Sequence, residues 1–181
     1  MSRYDDELWE LVPEDAGPPP EHLSEFVRSL DHADRALDIG CGDGRLTADL
    51  DADELTGADV SAMALGRARA RLPEARLVEL EPDAPLPFDD GEFDLVLLAE
   101  TLEHVRDVQL LVSEARRVLR PGGTLAITTP ATRPLMRAPH PLSPHLRFFT
   151  RSSLARLLDE LGFDVRSLER RAGSLLACAT R

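Results

Sequence analysis

An apolar segment that leads directly into a glycine-rich turn is the feature that most restricts the fold of this chain. Residues 36–45 read Ala-Leu-Asp-Ile-Gly-Cys-Gly-Asp-Gly-Arg, and a second strand-like run over residues 54–60 carries Asp59. Such a turn lets a ligand approach the backbone, and an acid at the end of the next strand can accept hydrogen bonds from two ribose hydroxyls. The pair predicts a nucleotide pocket. An ordinary tight turn between a strand and a helix is the alternative interpretation.

The spacing of the glycines indicates which ligand fits the turn. A dinucleotide fingerprint has the form Gly-x-Gly-x-x-Gly, with a helix N-terminus that faces a pyrophosphate. Here the pattern is Gly40-x-Gly42-x-Gly44, with Asp38 before it and Asp43 inside it. Carboxylates in a turn repel a pyrophosphate and attract a positively charged amino group. The turn therefore favours a ligand that carries an amino group over a dinucleotide.

Alternating strand and helix patterns predict an α/β fold with a mainly parallel sheet. Strands are expected near residues 36–39, 54–59, 75–80, 93–99 and 124–129, and helices over 23–30, from near Gly44, from near Ala62, over 108–119 and over 150–161. At the end of the chain, residues 163–168 and 174–180 are joined by a very short link. A link of that length permits a hairpin and not a parallel crossover, so the last strand is expected to be antiparallel.

Several segments, in this order along the chain, resemble the class I S-adenosylmethionine-dependent methyltransferases. They are the glycine turn, residues 86–105 around the fourth strand, residues 118–130 from a helix through a fifth strand, and the helix and strand after residue 145. The resemblance covers residues 33–181 and implies a Rossmann-like, doubly wound, seven-stranded sheet, mostly parallel with an antiparallel last strand, and helices on both faces. Residues 1–32 are expected to form an N-terminal arm and helix that cover the cofactor, with Tyr4 and Trp9 as a lid or as an aromatic contact with the core.

The resemblance also implies which residues bind S-adenosylmethionine and, after transfer, S-adenosylhomocysteine. Asp38, Gly40, Cys41, Gly42 and Gly44 would line the methionine half. Asp59 would hold the ribose, Val60 or Met63 would lie against the adenine, and Asp83 and Ala84 would meet its edge, with Glu81 as the alternative to Asp83. Ala99 and Glu100 would face the sulfonium.

The segment Glu100-Thr-Leu-Glu103-His104 is the candidate catalytic motif. If it is helical, its two carboxylates and its imidazole share one face. They could hold a divalent metal, with His140 or His145 as a fourth ligand, which resembles ubiquinone-pathway O-methyltransferases and small-RNA 3′-terminal 2′-O-methyltransferases. Alternatively His104 acts as a metal-free base, or the motif is structural. We take His104 as the catalytic candidate and assign no residue to a metal.

Charge and cysteine usage limit the classes of function. The chain has 33 acidic and 21 basic residues, all of the latter arginine, and a net charge of −12. This balance argues against a large nucleic-acid footprint, although Arg133, Arg137 and Arg147 could form a local patch. Cys41 and Cys178 suit neither a disulfide framework nor a metal site, and no membrane span or signal peptide is evident. A cytoplasmic protein is expected.

The leading interpretation is a methyltransferase that acts on an oxygen, nitrogen or carbon atom of a small molecule. Its acceptor would be recognised by the N-terminal arm and by the loop over residues 130–149. The alternatives are a metal-assisted RNA 2′-O-methyltransferase, a non-catalytic cofactor-binding subunit and a nicotinamide-dependent enzyme. The glycine spacing and the terminal hairpin argue against the last of these. A homodimer is compatible with the sequence.

Overall fold

One seven-stranded sheet organises the computed structural model, which describes residues 3–13, 17–132 and 146–181. The strands are β1 Ala33–Ile39, β2 Ala52–Asp59, β3 Arg76–Glu79, β4 Phe93–Ala99, β5 Leu119–Pro130, β6 Asp164–Arg171 and β7 Ser174–Thr180. The helices are α1 Arg3–Leu11, α2 Glu21–Arg28, α3 Ala62–Arg71, α4 Val108–Val118 and α5 Arg151–Glu160. The strand order is β3-β2-β1-β4-β5-β7-β6, and β7 runs antiparallel to both of its neighbours. The predicted fold class is therefore confirmed.

The reversed β7 follows from the turn that precedes it. Only Ala172 and Gly173 separate β6 from β7, and both have positive φ, at 48° and 99°. Two-residue turns with positive φ match the twist of an antiparallel pair. The chain thus returns along β6, as the predicted hairpin required, and β7 lies between β5 and β6 in the sheet.

Alternating side chains of β4 divide the core between the two faces of the sheet. Leu95 and Leu97 pack with the buried side of α2, while Val96 and Leu98 pack with α4 and α5. Successive strand residues point to opposite faces, so an uninterrupted apolar strand is expected where helices cover both faces. Among the described residues, no helix has the length and apolar character needed to cross a membrane.

The connection from β1 to β2 differs from the prediction. A helix was expected from near Gly44, but residues 40–51 contain a single 3₁₀ turn at Thr47–Asp49. These few residues must both turn the chain and return it to β2, which leaves no length for a helix. Leu46 and Leu50 still pack against the α2 side of the core. The glycine turn therefore lacks the helix N-terminus that binds a pyrophosphate in dinucleotide folds.

Candidate functional site

The crevice between the carboxyl ends of β1 and β4 is the candidate site. These strands are neighbours in the sheet, yet the chain leaves them in opposite directions, to β2 on one side and to β5 on the other. Ligands of open α/β sheets bind at such a switch point. The hydroxyl of Thr101 closes the base of the crevice, since it lies 3.0 Å from the carbonyl oxygen of Ile39 and 3.1 Å from that of Ala99.

The glycine turn forms one wall of this crevice. Gly40, Gly42 and Gly44 have φ values of 78°, 55° and 79°, in the region that disfavours other residues. A Cβ atom at Gly42 would lie 2.7 Å from the ring of Trp9, and one at Gly44 would lie 2.7 Å from Leu72. Backbone conformation and close packing by the chain's own side chains thus both require glycine here.

Asp59 is held in a fixed orientation at the end of β2. Its Oδ2 accepts a hydrogen bond from the amide of Gly42 at 2.8 Å, and its Oδ1 accepts one from the amide of Ser61 at 2.9 Å. The side chain is buried, with 7% of the residue exposed. The acid predicted to bind ribose is thus pre-oriented against the glycine turn.

Asp38 is a buried acid with an unsatisfied oxygen. It is 1% exposed, and its Oδ2 accepts a hydrogen bond from the hydroxyl of Thr47 at 2.6 Å. Its Oδ1 has no hydrogen-bond partner among the described residues. Burial and, to a smaller degree, the nearby charge of Asp59 raise the pKa of Asp38 to about 7. An unsatisfied carboxylate oxygen at this depth is costly unless a ligand donor or cation completes it.

Asp43 has a different role from Asp38, although both were expected to repel a pyrophosphate and to attract an amino group. Nε of Arg45 donates to its Oδ1 at 2.9 Å, and Nε of Arg71 donates to its backbone carbonyl at 3.0 Å. The second oxygen of Asp43 lies 3.5 Å from the guanidinium of Arg71. Two arginines therefore balance the charge of Asp43, and of the two acids only Asp38 adds uncompensated negative charge to the crevice.

The residues expected around an adenine follow the ends of β2 and β3. They are the partly exposed Val60, Met63 and Ala84 and the exposed Asp83. The amide of Leu80 donates to the carbonyl of Asp59 at 2.8 Å, which holds the ends of these two strands side by side. Asp83 has a φ of 56°, a conformation that costs a non-glycine residue energy and that recurs at functional sites.

The candidate catalytic motif is not a helix. Glu100 has a φ of 53°, and its amide donates to the carbonyl of Thr128 on β5 at 2.9 Å. The next residues form a single turn, closed by a 3.0 Å hydrogen bond from the amide of His104 to the carbonyl of Thr101. Because the chain kinks at Glu100, the three ionisable side chains do not share a helical face.

This motif combines the buried Glu103, the half-buried Glu100 and the exposed His104. Glu103 is 1% exposed, and its Oε2 accepts a hydrogen bond from the hydroxyl of Thr129 at 3.0 Å. Its Oε1, which has no hydrogen-bond partner in the described part of the chain, lies 3.8 Å from Nε2 of His104. Burial and, to a smaller degree, the charge of Glu100 raise the pKa of Glu103 to about 8. Burial also raises the pKa of Glu100, whose Oε1 accepts from Thr128 at 3.0 Å.

The potential metal ligands that the structure describes do not come together as the metal interpretation requires. Within the described ranges, the only group of three His, Cys, Asp or Glu donors within 4.8 Å of one another is His32, Asp34 and Asp53. That group is exposed and lies near the starts of β1 and β2, at the edge of the sheet opposite the glycine turn. Glu100, Glu103 and His104 form no such group.

The loop expected to meet the acceptor is only partly described. Arg133, Arg137, His140 and His145 lie outside the described residues. Where the description resumes, the amide of Leu146 donates to the carbonyl of Glu103 at 2.6 Å. Arg147 donates to the carbonyl of Arg106 at 2.8 Å. The returning end of the loop is thus fastened beside the His104 motif.

Four polar residues of the site were missed by the sequence analysis. They are Thr47, Thr101, Thr128 and Thr129, and each bonds to an acid or to a strand end in the crevice. Thr128 and Thr129 could have been predicted as site residues, since two adjacent hydroxyls lie at the carboxyl end of the apolar strand β5. Thr47 and Thr101 lie in irregular segments whose tertiary partners no local pattern reveals.

Comparison with known proteins agrees with this geometry. Residues 37–127, half of the chain, match a family model described as a methyltransferase domain. The chain is 36% identical over 136 residues to a probable S-adenosylmethionine-dependent methyltransferase of Mycolicibacterium smegmatis, covering 71% of this chain and 51% of that protein. It is 38% identical over 102 residues to a ubiquinone biosynthesis O-methyltransferase of Methylococcus capsulatus, covering 52% of this chain and 43% of that protein. The chain spans about half the length of these curated relatives.

A solved structure shares the fold across nearly the whole chain. The crystal structure of the [4+2]-cyclase SpnF superposes with a TM-score of 0.82, at 19% sequence identity, over 98% of this chain and 93% of that one. At this identity the likeness establishes the fold and no chemistry. The family model, which matches half of the chain, and the relatives of similar sequence show the family to which the chain belongs. This chain belongs to the class I methyltransferases, the family whose methyl donor is S-adenosylmethionine.

Proposed function

We propose that this chain transfers a methyl group from S-adenosylmethionine to a small-molecule acceptor. The observation that carries the proposal is the pair of buried acids at the switch point, Asp38 with an unsatisfied oxygen and Asp59 held by two backbone amides. An ammonium group would satisfy Asp38, and vicinal ribose hydroxyls would suit Asp59. No helix N-terminus within the described residues follows the glycine turn to attract a pyrophosphate. The donor set therefore fits an amino-acid nucleoside better than a dinucleotide.

The remaining pocket assignments extend this argument along the strand ends. The methionine half would lie along the turn from Gly40 through Cys41 and Gly42 to Gly44. The adenine would lie against Val60 or Met63, with Asp83 and Ala84 at its edge, and the sulfonium would face Ala99 and Glu100. All of these positions lie at or after the carboxyl ends of strands. When bound, the cofactor supplies an activated methyl carbon, so the protein's tasks are orientation and proton removal.

His104 is the residue we assign to proton removal. Its imidazole is 38% exposed, beside the crevice, and Oε1 of the buried Glu103 lies 3.8 Å from its Nε2. An imidazole can take the proton that an alcohol, phenol or amine loses on methylation. Once Glu103 is ionised, above its raised pKa of about 8, its carboxylate would also stabilise the imidazolium that forms.

The proposed acceptor class rests on charge and on one kind of relative. A net charge of −12 opposes binding of a polyanion such as RNA. One relative is described as an O-methyltransferase of ubiquinone biosynthesis, which supports an oxygen atom of a small molecule as the nucleophile.

A methyl-transfer assay tests this proposal. The protein is incubated with tritium-labelled S-adenosylmethionine and either a panel of small phenols, catechols and amines or total RNA, with Mg²⁺ or with EDTA. We expect label in small products in both buffers. His104→Ala should reduce the rate by about 10²-fold or more and leave the affinity for S-adenosylhomocysteine unchanged. The exposed-surface control His32→Ala should keep full activity. Label in RNA would identify an RNA methyltransferase, and cofactor binding without any transfer would favour a non-catalytic subunit.

A further inference from the structure

Helix α1 lies outside the segment that matches the family model, yet it is fastened to the cofactor side of the molecule. Oδ1 of Asp6 accepts a hydrogen bond from the hydroxyl of Ser61 at 2.6 Å and one from the amide of Met63 at 3.2 Å. These two groups begin α3, where a helix leaves amides unpaired. Asp6 therefore acts as a latch between α1 and the start of α3.

The far end of α1 is held by a second set of contacts. The guanidinium of Arg67 on α3 lies 5.7 Å from the centre of the Trp9 ring, within the range of a cation–π contact. The same side chain donates to the carbonyl of Val12 at 2.8 Å. Because Arg67 holds both the ring and the end of the helix, the position of Trp9 is fixed from one side by α3.

The contacts of α1 converge on the two residues that orient Asp59. Trp9 packs on Gly42, whose amide donates to Oδ2 of Asp59, and Asp6 bonds to Ser61, whose amide donates to Oδ1. A ligand bound to Asp59 therefore lies one residue away from α1 on both sides. Such an arrangement suits a pocket wall. If Trp9 served only to contact the core, α1 would not need to contact Gly42 and Ser61, the two residues that orient Asp59.

We propose that α1 is the outer wall of the cofactor pocket, in which Trp9 contacts bound S-adenosylmethionine and the Asp6 latch must open for the cofactor to enter or leave. This inference rests on the proposed function, because it takes the ligand at Asp59 to be that cofactor. It assigns direct cofactor contact to Trp9, which was predicted as a lid residue, and it adds Asp6 as a positioning residue. The side chain of Tyr4, the other predicted lid residue, lies outside the described part of the chain.

Trp9 is the only tryptophan of the chain, so its fluorescence reports on α1 alone. The purified protein is titrated with S-adenosylhomocysteine while emission excited at 295 nm and quenching by acrylamide are recorded, and calorimetry measures binding independently. We expect binding to change the Trp9 emission and to reduce acrylamide quenching at least twofold. The dissociation constant obtained from the emission change should equal the one measured by calorimetry. Binding by calorimetry with unchanged Trp9 emission and quenching would overturn the inference and leave the proposed function standing. Absence of binding would overturn both.

The latch is tested by comparing two substitutions on the same helix. Asp6→Ala removes the bonds to Ser61 and Met63, and Glu10→Ala alters an exposed position of α1. We expect Asp6→Ala to accelerate dissociation of S-adenosylhomocysteine at least fivefold in stopped-flow displacement, and Glu10→Ala to match the wild type. Equal dissociation rates for Asp6→Ala and the wild type, with both proteins folded by circular dichroism, would refute the latch.

Discussion

Replacing the buried Glu103 by glutamine is expected to stabilise the protein in alkaline buffer. Burial and the charge of Glu100 raise the pKa of Glu103 from 4.5 to about 8. A carboxyl whose pKa is raised on folding binds more protons in the folded state than in the unfolded state. Its contribution to stability is therefore full below pH 4.5 and is lost as the pH rises towards 8. Glutamine keeps an acceptor for the hydroxyl of Thr129 and cannot ionise.

The size of the effect follows from the pKa rise. One pKa unit corresponds to about 1.4 kcal/mol, so the full rise sets an upper limit of about 5 kcal/mol. Between pH 5.5 and pH 8.5 the free energy of unfolding of Glu103→Gln should gain about 3 kcal/mol relative to the wild type. With a urea m-value of about 2 kcal/mol/M, the difference between their midpoints should change by about 1.5 M.

Urea unfolding at these two pH values, in buffer containing EDTA, measures the change. Glu114→Gln is the matched control, because Arg117 lowers the pKa of Glu114. Glu114 contributes stability above its unfolded pKa, so its replacement should destabilise the protein at both pH values. The difference in free energy of unfolding between Glu114→Gln and the wild type should therefore stay nearly constant. Parallel pH dependences for Glu103→Gln and the wild type would refute the reasoning.

Three further substitutions test other parts of the account. Asp38→Asn should lower S-adenosylhomocysteine affinity at least tenfold in calorimetry. In urea unfolding, the same substitution should raise the midpoint when the buffer is above pH 7 and leave it unchanged below pH 4, since burial raises the pKa of Asp38 to about 7. Gly42→Ala should cost about 1–3 kcal/mol in urea unfolding because φ is 55° there, and should shift Trp9 emission to longer wavelength because the added methyl meets the ring. Leu97→Ala should cost about 2–5 kcal/mol in the same assay, because Leu97 is fully buried in the core.

The sheet could be predicted from the sequence because its signals are local. An apolar run such as residues 93–99 indicates a strand covered on both faces, and a two-residue turn can join only antiparallel strands. The positions of Asp38 and Asp59 at strand ends followed from the same pattern. Helix ends were also predictable, since Asp107 and Thr150 accept the expected hydrogen bonds from the amides of Leu110 and Ser153.

The remaining features depend on contacts between distant parts of the chain. The predicted helix after Gly44 was wrong because the length of the connection, and not the propensity of its residues, decides its structure. The charge of Asp43 is balanced by Arg71, which comes from α3, and Glu103 is bonded by Thr129 from β5. The docking of α1 through Asp6 likewise joins residues more than fifty positions apart. Local patterns contain none of this information.

Calorimetric titration with S-adenosylhomocysteine, with NAD as the comparator, is the decisive measurement. We expect the wild type to bind S-adenosylhomocysteine and not NAD, and Asp59→Ala to abolish the binding while circular dichroism shows an intact fold. Binding of NAD without S-adenosylhomocysteine would contradict the account and would make the glycine turn a dinucleotide site.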